Sequence, residues 1–245
     1  MEQRWDNGRI ATLARKVRKI ESFGKVYVER CLFEPMAKKS MLLHDRHEAL
    51  LFFFSKSFMR GRRDEISERF LAAAIKTMSE TVPGDEQKPL GERLKDNGVN
   101  NRHDRGMVID AIDFTTRSLT EHDSNIVAYA VSMIKSGKVK EAFDALDRIH
   151  AVGDKIASFY LRDVAIVYGL SDSLCWDTHK YCFPVDTWLR QVSDRLGVTD
   201  GTETLEEVKK RMVLASLMAG ASPLMFNCGA WLVGANSFEL LLDSM

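Results

Sequence analysis

Cysteine is scarce and scattered in this chain of 245 residues: Cys31, Cys175, Cys182 and Cys228 lack the dense, regular spacing of a disulfide-stapled scaffold. A long hydrophobic run is also missing. Runs such as Ala49 to Phe54, which none exceeds, are far shorter than the roughly 20 residues that span a bilayer as a helix. The first residues do not show the charged-then-apolar pattern, ending in a small-residue cleavage site, that marks a secretory leader. The expectation is an intracellular protein, in the cytoplasm or nucleoid if the source is prokaryotic, with no membrane partner.

Net charge is absent too, with 35 Lys and Arg against 35 Asp and Glu. Uniform electrostatic attraction to a polyanion is thereby excluded, since phosphate neutralisation is normally the main source of nucleic-acid affinity. The cations are unevenly placed, however. Arg15, Lys16, Arg18 and Lys19 form one cluster and Arg60, Arg62 and Arg63 a second. Each reads equally well as a DNA-facing patch or as a solvated helix face.

Alternating β-branched runs are few, and the dominant period is helical. Ile10, Leu13, Val17 and Ile20 mark an amphipathic N-terminal helix, and Lys25 to Arg30 is the one strand candidate. Helices are expected over 47–59, 63–80, 104–118, 123–135, 138–149, 154–168, 184–196, 204–218 and 222–234, with a breaker-rich connection over 81–101. The predicted fold class is all-α.

Against this background one segment carries chemistry. Ile149-His150-Ala151-Val152-Gly153-Asp154-Lys155-Ile156-Ala157 reads as a helix end, a tight turn and a second helix opening with a lysine. The first N–H groups of a helix have no intrahelical partner and sit at the positive end of its dipole, so Ala151, Val152, Gly153 and Asp154 can hold a DNA phosphate on the backbone. Gly153 is expected to supply a positive φ and an unobstructed approach, and Asp154 to cap the second helix. Downstream, Phe183-Pro184-Val185-Asp186-Thr187-Trp188 places an aspartate at the head of another helix. A lysine amine in its neutral form attacks an electrophilic sugar carbon, and a nearby carboxylate stabilises the positive charge that develops there. The plain alternatives are a surface lysine touching phosphate and an aspartate that only caps.

The stretch Leu146 to Val164, with Val185-Asp186-Thr187, resembles the helix-hairpin-helix DNA glycosylases related to endonuclease III and the 8-oxoguanine glycosylases. The family pattern is approximately L-P-G-V-G-x-K-x-A followed by V-D-T-H; here it reads I-H-A-V-G-D-K-I-A followed by V-D-T-W. His150 replaces the usual proline, Ala151 the first glycine, and Trp188 the histidine. Gly169 to Cys182 looks like an insertion between lysine and aspartate. The resemblance implies two helical subdomains flanking a cleft: residues 45–172 as a barrel ending in the hairpin, and 1–44 with 173–245 as the domain carrying Asp186. It also implies catalytic Lys155 and Asp186, and an extruded base in double-stranded DNA as substrate. Lys155 would displace the base from C1′ and form a Schiff base, and β-elimination would then cut the strand. The expected protein is a monomer with no organic cofactor and no iron–sulfur cluster, a monovalent cation at the hairpin being the only ion admitted.

The implied base pocket comprises Phe159, Trp188, Phe226, Asn227 and Trp231. Phe226-Asn227-Cys228-Gly229-Ala230-Trp231 is similar to a pocket-lining helix of the cluster-free 8-oxoguanine branch, and Ser158 to Asp163 (SFYLRD) points the same way. That makes 8-oxoguanine the leading substrate. A core role for Phe226 and Trp231 is the competing reading, and Phe159 divides between stacking and core. Trp176 suits DNA contact. Cys175, His179 and Cys182, with Asp177 or His150, have the chemistry of zinc ligands but only loose spacing, so no metal is expected. Three alternatives stay open: a monofunctional glycosylase using Asp186 to activate water, a glycosylase for another modified base including hypermodified phage DNA, and a non-catalytic DNA tether.

Overall fold

A computed structural model describes residues 7–59, 64–79 and 88–243. All regular structure among these residues is helical, with no strand. The second basic cluster, Arg60, Arg62 and Arg63, lies outside them, as does the beginning of the 81–101 connection, residues 81–87. Its described part holds the short helix α6, Leu90–Asp96.

The chain divides into two compact units, Met1–Ala37 with Leu161–Met245, and Lys38–Tyr160. The divisions fall at 37/38 and at 160/161, the second inside a helix.

The Lys38–Tyr160 unit contains α3 (Lys39–His44), α4 (Arg46–Ser57), α5 (Asp64–Ser79), α6, α7 (Arg102–Asp113), α8 (Ile126–Lys135), α9 (Val139–Asp147) and the start of α10 (Asp154–Val167). Side-chain caps set several boundaries by satisfying N–H groups that a helix start leaves unpaired. Asp45 accepts from His47 and Glu48, Asn101 from His103 and Asp104, and Asn125 from Val127 and Ala128. Asn125 also donates to the Leu42 carbonyl at 3.0 Å, tying α8 to α3. The helix expected over 47–59 is α4, and it is buried: Phe52, Phe53, Phe54 and the following Phe58 are all buried, and Tyr160 meets Phe53 edge-on at 5.1 Å.

The other unit contains α1 (Asn7–Tyr27), α2 (Phe33–Ala37), the end of α10, α11 (Thr187–Arg195), α12 (Leu205–Met218) and α13 (Pro223–Asp243). The strand candidate Lys25–Arg30 is helical: α1 runs to Tyr27 and a π-helical turn, Val28–Leu32, leads into α2. Two valines are weak evidence for a strand when the residue between them has a buried place on a helix, and Tyr27 is buried here. Thr204 starts α12 with a capping box, exchanging hydrogen bonds with Glu207. Arg18 of the first basic cluster donates to the Ala219 carbonyl at the far end of α12 (3.0 Å), where a cation suits the dipole.

Packing in this unit centres on α1 against α13. Their backbones approach so closely that a Cβ on Gly229 would strike the Ile20 carbonyl, and one on Gly24 would strike that of Met225. Val17, Ile20, Leu189, Met212, Phe226 and Val233 fill the adjoining core. No single helix among the described residues is long and apolar enough to cross a membrane. Gly229→Ala should destabilise the protein by about 1–3 kcal/mol, the usual cost of forcing atoms into a packed contact. The check is urea unfolding followed by circular dichroism, in which a midpoint unchanged from wild type would refute the backbone contact.

Candidate functional site

The α9–α10 turn is closed by two backbone hydrogen bonds, Ile149 N–H to Leu146 O (3.1 Å) and Val152 N–H to Ile149 O (2.9 Å). Its positive φ falls on Ala151, at +59°, and not on Gly153 as expected. Ala151 stands third in the four-residue turn Ile149–Val152, a position that favours glycine or asparagine when φ is positive. Gly153 has a different task. A Cβ there would meet nothing within 4 Å, so its surroundings are open. Gly153 is also the N-cap position: its carbonyl accepts from Ile156 and Ala157 (2.9 and 3.0 Å), and Asp154 is the first helical residue rather than the cap. An acidic side chain in a first turn still favours the dipole.

What compensates the alanine is a set of ties to α7. The His150 N–H, which a proline would lack, donates to Asp110 Oδ2 at 2.6 Å. The His150 ring lies against Gly106, where any Cβ would collide with it. His103 Nδ1 and His150 Nε2 are 3.4 Å apart with ring planes 11° from parallel. That N···N separation spans most of the 5.5 Å between ring centroids, so the rings meet end to end and share one hydrogen bond.

Lys155 stands on the first turn of α10, half-buried, and its amine forms no hydrogen bond or ion pair with a described residue. One turn on, Phe159 is half-buried, with the ammonium of buried Lys56 5.6 Å from its ring centroid. Val152 is buried and acts as a side-chain anchor of the turn.

Asp186 belongs to the other unit and is the N-cap of α11, one oxygen accepting from the Leu189 N–H at 2.9 Å. The approach to it is fixed residue by residue. Phe183 stacks on Phe226 (6.5 Å, 11°), the Pro184 carbonyl accepts from Asn227 Nδ2 (2.9 Å), and Val185 is buried.

Two implied pocket residues are therefore committed elsewhere. Phe226 is fully buried in the core. Asn227 is 2% exposed, and its amide is spent within the protein, since Oδ1 accepts from Arg162 Nη1 at 2.7 Å while Nδ2 holds Pro184. Trp231 is half-buried and meets Tyr27 edge-on at 5.8 Å. Trp188 is exposed, its Cβ lying over Gly234. Trp176 is 70% exposed.

Sequence reasoning missed the network that holds Asn227. Arg162, 1% exposed, donates through Nε to Asp163 Oδ1 (2.9 Å) and through Nη2 to the Tyr27 hydroxyl (2.6 Å), and Tyr27 donates to Asp163 Oδ2 (2.9 Å). Burial opposes the guanidinium charge, but the Asp163 carboxylate outweighs it and Arg162 titrates above its ordinary value. Burial likewise lifts the Tyr27 hydroxyl well above the usual range, so it stays a donor. The missed signal was the adjacent charge pair inside the apolar run of α10, since buried charges are seldom kept unpaired.

Among the described residues, no three His, Cys, Asp or Glu side chains converge as metal ligands. Cys175 is exposed whereas Cys182 is fully buried, and burial pushes its thiol up to about 12. His179 is buried with Nδ1 lacking a hydrogen-bond partner, and desolvation lowers its titration below the ordinary 6.5.

No family model matches the chain, and no solved structure matches it. It is similar to the uncharacterized protein MJECL21 of Methanocaldococcus jannaschii, 32% identical over 80 residues. The match covers 32% of this chain and 18% of that protein, so the chain spans less than a fifth of its relative's length.

Two outcomes are expected. Ala151→Gly should stabilise the protein by about 1 kcal/mol, because a left-handed backbone costs alanine more than the added unfolded-state entropy costs glycine; a lowered urea midpoint would contradict this. His179 binds its proton more weakly folded than unfolded, so its contribution to stability is whole above pH 6.5 and is lost as pH falls through its lowered folded value. His179→Gln should flatten the decline in unfolding free energy between about pH 7 and pH 5, measured by urea titrations at each pH.

Proposed function

We propose that this chain is a helix-hairpin-helix DNA glycosylase with AP lyase activity, excising a damaged or modified base, with 8-oxoguanine the leading candidate. The observation that carries the reading is the Lys155 amine: it forms no hydrogen bond or ion pair with a described residue, and it stands on the first turn of a helix preceded by Gly153, where an added Cβ would meet nothing within 4 Å. The N–H groups of Gly153 and Lys155 are not used by described residues and suit a phosphate oxygen. Such contacts hold the backbone of any sequence and position the chain rather than select a base.

In this mechanism the Lys155 lone pair attacks C1′ and the C1′–N bond breaks, the base leaving with the bonding pair and taking up a proton. The nitrogen, cationic after the attack, gives up one proton and the ring oxygen O4′ takes one up as the C1′–O4′ bond breaks, leaving a protonated Schiff base at C1′. Removal of a C2′ proton then expels the 3′ phosphate. Asp186 supports the first step by stabilising positive charge on the sugar. One of its oxygens is anchored to Leu189, which limits the directions the other can take. The resemblance in Ile149–Ala157 and Val185–Thr187 supplies the family, the substrate class and the pairing of these two residues; double-stranded DNA carrying the lesion is the partner.

Borohydride added during reaction with 8-oxoguanine duplexes should trap a covalent protein–DNA adduct, which Lys155→Ala abolishes. Asp186→Asn should slow base release by about 100-fold or more, the scale on which positioned electrostatic groups act. Strand breaks that appear only after hot alkali would replace the lyase by a monofunctional glycosylase. Binding without base release from any lesion in a panel of duplexes would leave only a tether.

A further inference from the structure

We infer that Asn227 is a positioning residue for Asp186, setting the direction of that carboxylate through the backbone of Pro184. The inference rests on the proposed glycosylase reading for its chemistry, while its geometry lies within one compact unit.

The amide of an asparagine can ordinarily be turned end for end, because its oxygen and nitrogen occupy similar space. Here Arg162 removes that freedom. A guanidinium carries only donors, so Nη1 at 2.7 Å requires the amide oxygen on its side. The amide nitrogen must then face away, and it meets the Pro184 carbonyl at 2.9 Å. Arg162 is itself immobilised by Asp163 and Tyr27. The close backbone contact at Gly229 fixes α13, and hence Asn227, against α1.

Polarity thus passes from a buried cation through one amide to a backbone oxygen two residues before Asp186. Proline's locked φ leaves little slack in that step. Val185 is buried, and Asp186 is held at its other end by the Leu189 N–H. The carboxylate therefore cannot tilt without breaking either the Asn227 bond or its own cap.

Asn227→Asp separates the two halves of the amide's task. The carboxylate still accepts from Arg162 but cannot donate to Pro184, and it places an acceptor against a carbonyl oxygen. The expected result is slower single-turnover base release, by about 10- to 100-fold, the scale of a displaced catalytic group. Duplex affinity should change less than about threefold, because no DNA contact is removed. In an Asp186→Asn background the same change should add almost nothing, since residues acting through one another are not additive. Independently of activity, the Leu189 amide should exchange with solvent about tenfold faster, whereas the Glu207 amide at the Thr204 cap keeps its protection.

Additive losses in the double variant, or unchanged Leu189 exchange, would overturn the assignment. Asn227→Ala, which removes both bonds without adding charge, should give the same Leu189 response and serves if the aspartate variant does not fold. Wild-type protein that releases no base from any lesion would defeat the glycosylase reading, and the exchange measurement alone would then decide the positioning claim.

Discussion

A guanidinium with 1% exposure is the constraint on which much of the unit formed by Met1–Ala37 and Leu161–Met245 depends. Removing such a charge from water costs several kcal/mol, and the cost is met only if a carboxylate and further acceptors surround it. Arg162 meets that demand with acceptors from α1 (Tyr27), α10 (Asp163) and α13 (Asn227). Three helices are thereby held in one arrangement by directional bonds in addition to apolar packing. The loop preceding α11 inherits that arrangement through Pro184. The conformation of the residue proposed as the catalytic carboxylate is, in this sense, decided well away from its own side chain.

The α9–α10 turn follows a different logic. A proline and a glycine would make such a turn nearly by themselves, one by presetting φ and the other by accepting a positive φ without penalty. His150 and Ala151 do neither. The turn is instead supported from outside, by Asp110 on the His150 N–H, by the imidazole of His103, and by an α7 glycine that lets the His150 ring come close. Backbone preference has been exchanged for tertiary contact. The N–H groups of Gly153 and Lys155 form no hydrogen bond with a described residue.

Helical periodicity was legible because it is a local property. The apolar spacing of Val17 and Ile20, the Phe-rich run of α4 and the helix start at Asp186 each depend on neighbours a few residues away. Lys25–Arg30 misled because its two valines favour a strand only in the absence of a buried niche for Tyr27, and that niche is built by residues more than 130 positions away. The same distance hid the role of Asn227. Its side chain looked available for a base edge until Arg162 and Pro184 were brought to it, 65 and 43 positions off in sequence. The placement of Lys155 at a helix start was readable from G-x-K-x-A, whereas the service of Asp110 to the turn was not, since a lone aspartate on a helix carries no sign of the N–H it will receive.

Helix α10 has a mechanical consequence. It begins within one compact unit and finishes within the other, the changeover lying between Tyr160 and Leu161. Seven-residue stubs are too short to persist as isolated helices in water. No natural seam therefore exists at that junction for a protease to nick cleanly or for recombination to shuffle. A cut between Tyr160 and Leu161 would cost each unit the helical turns of α10 that belong to it.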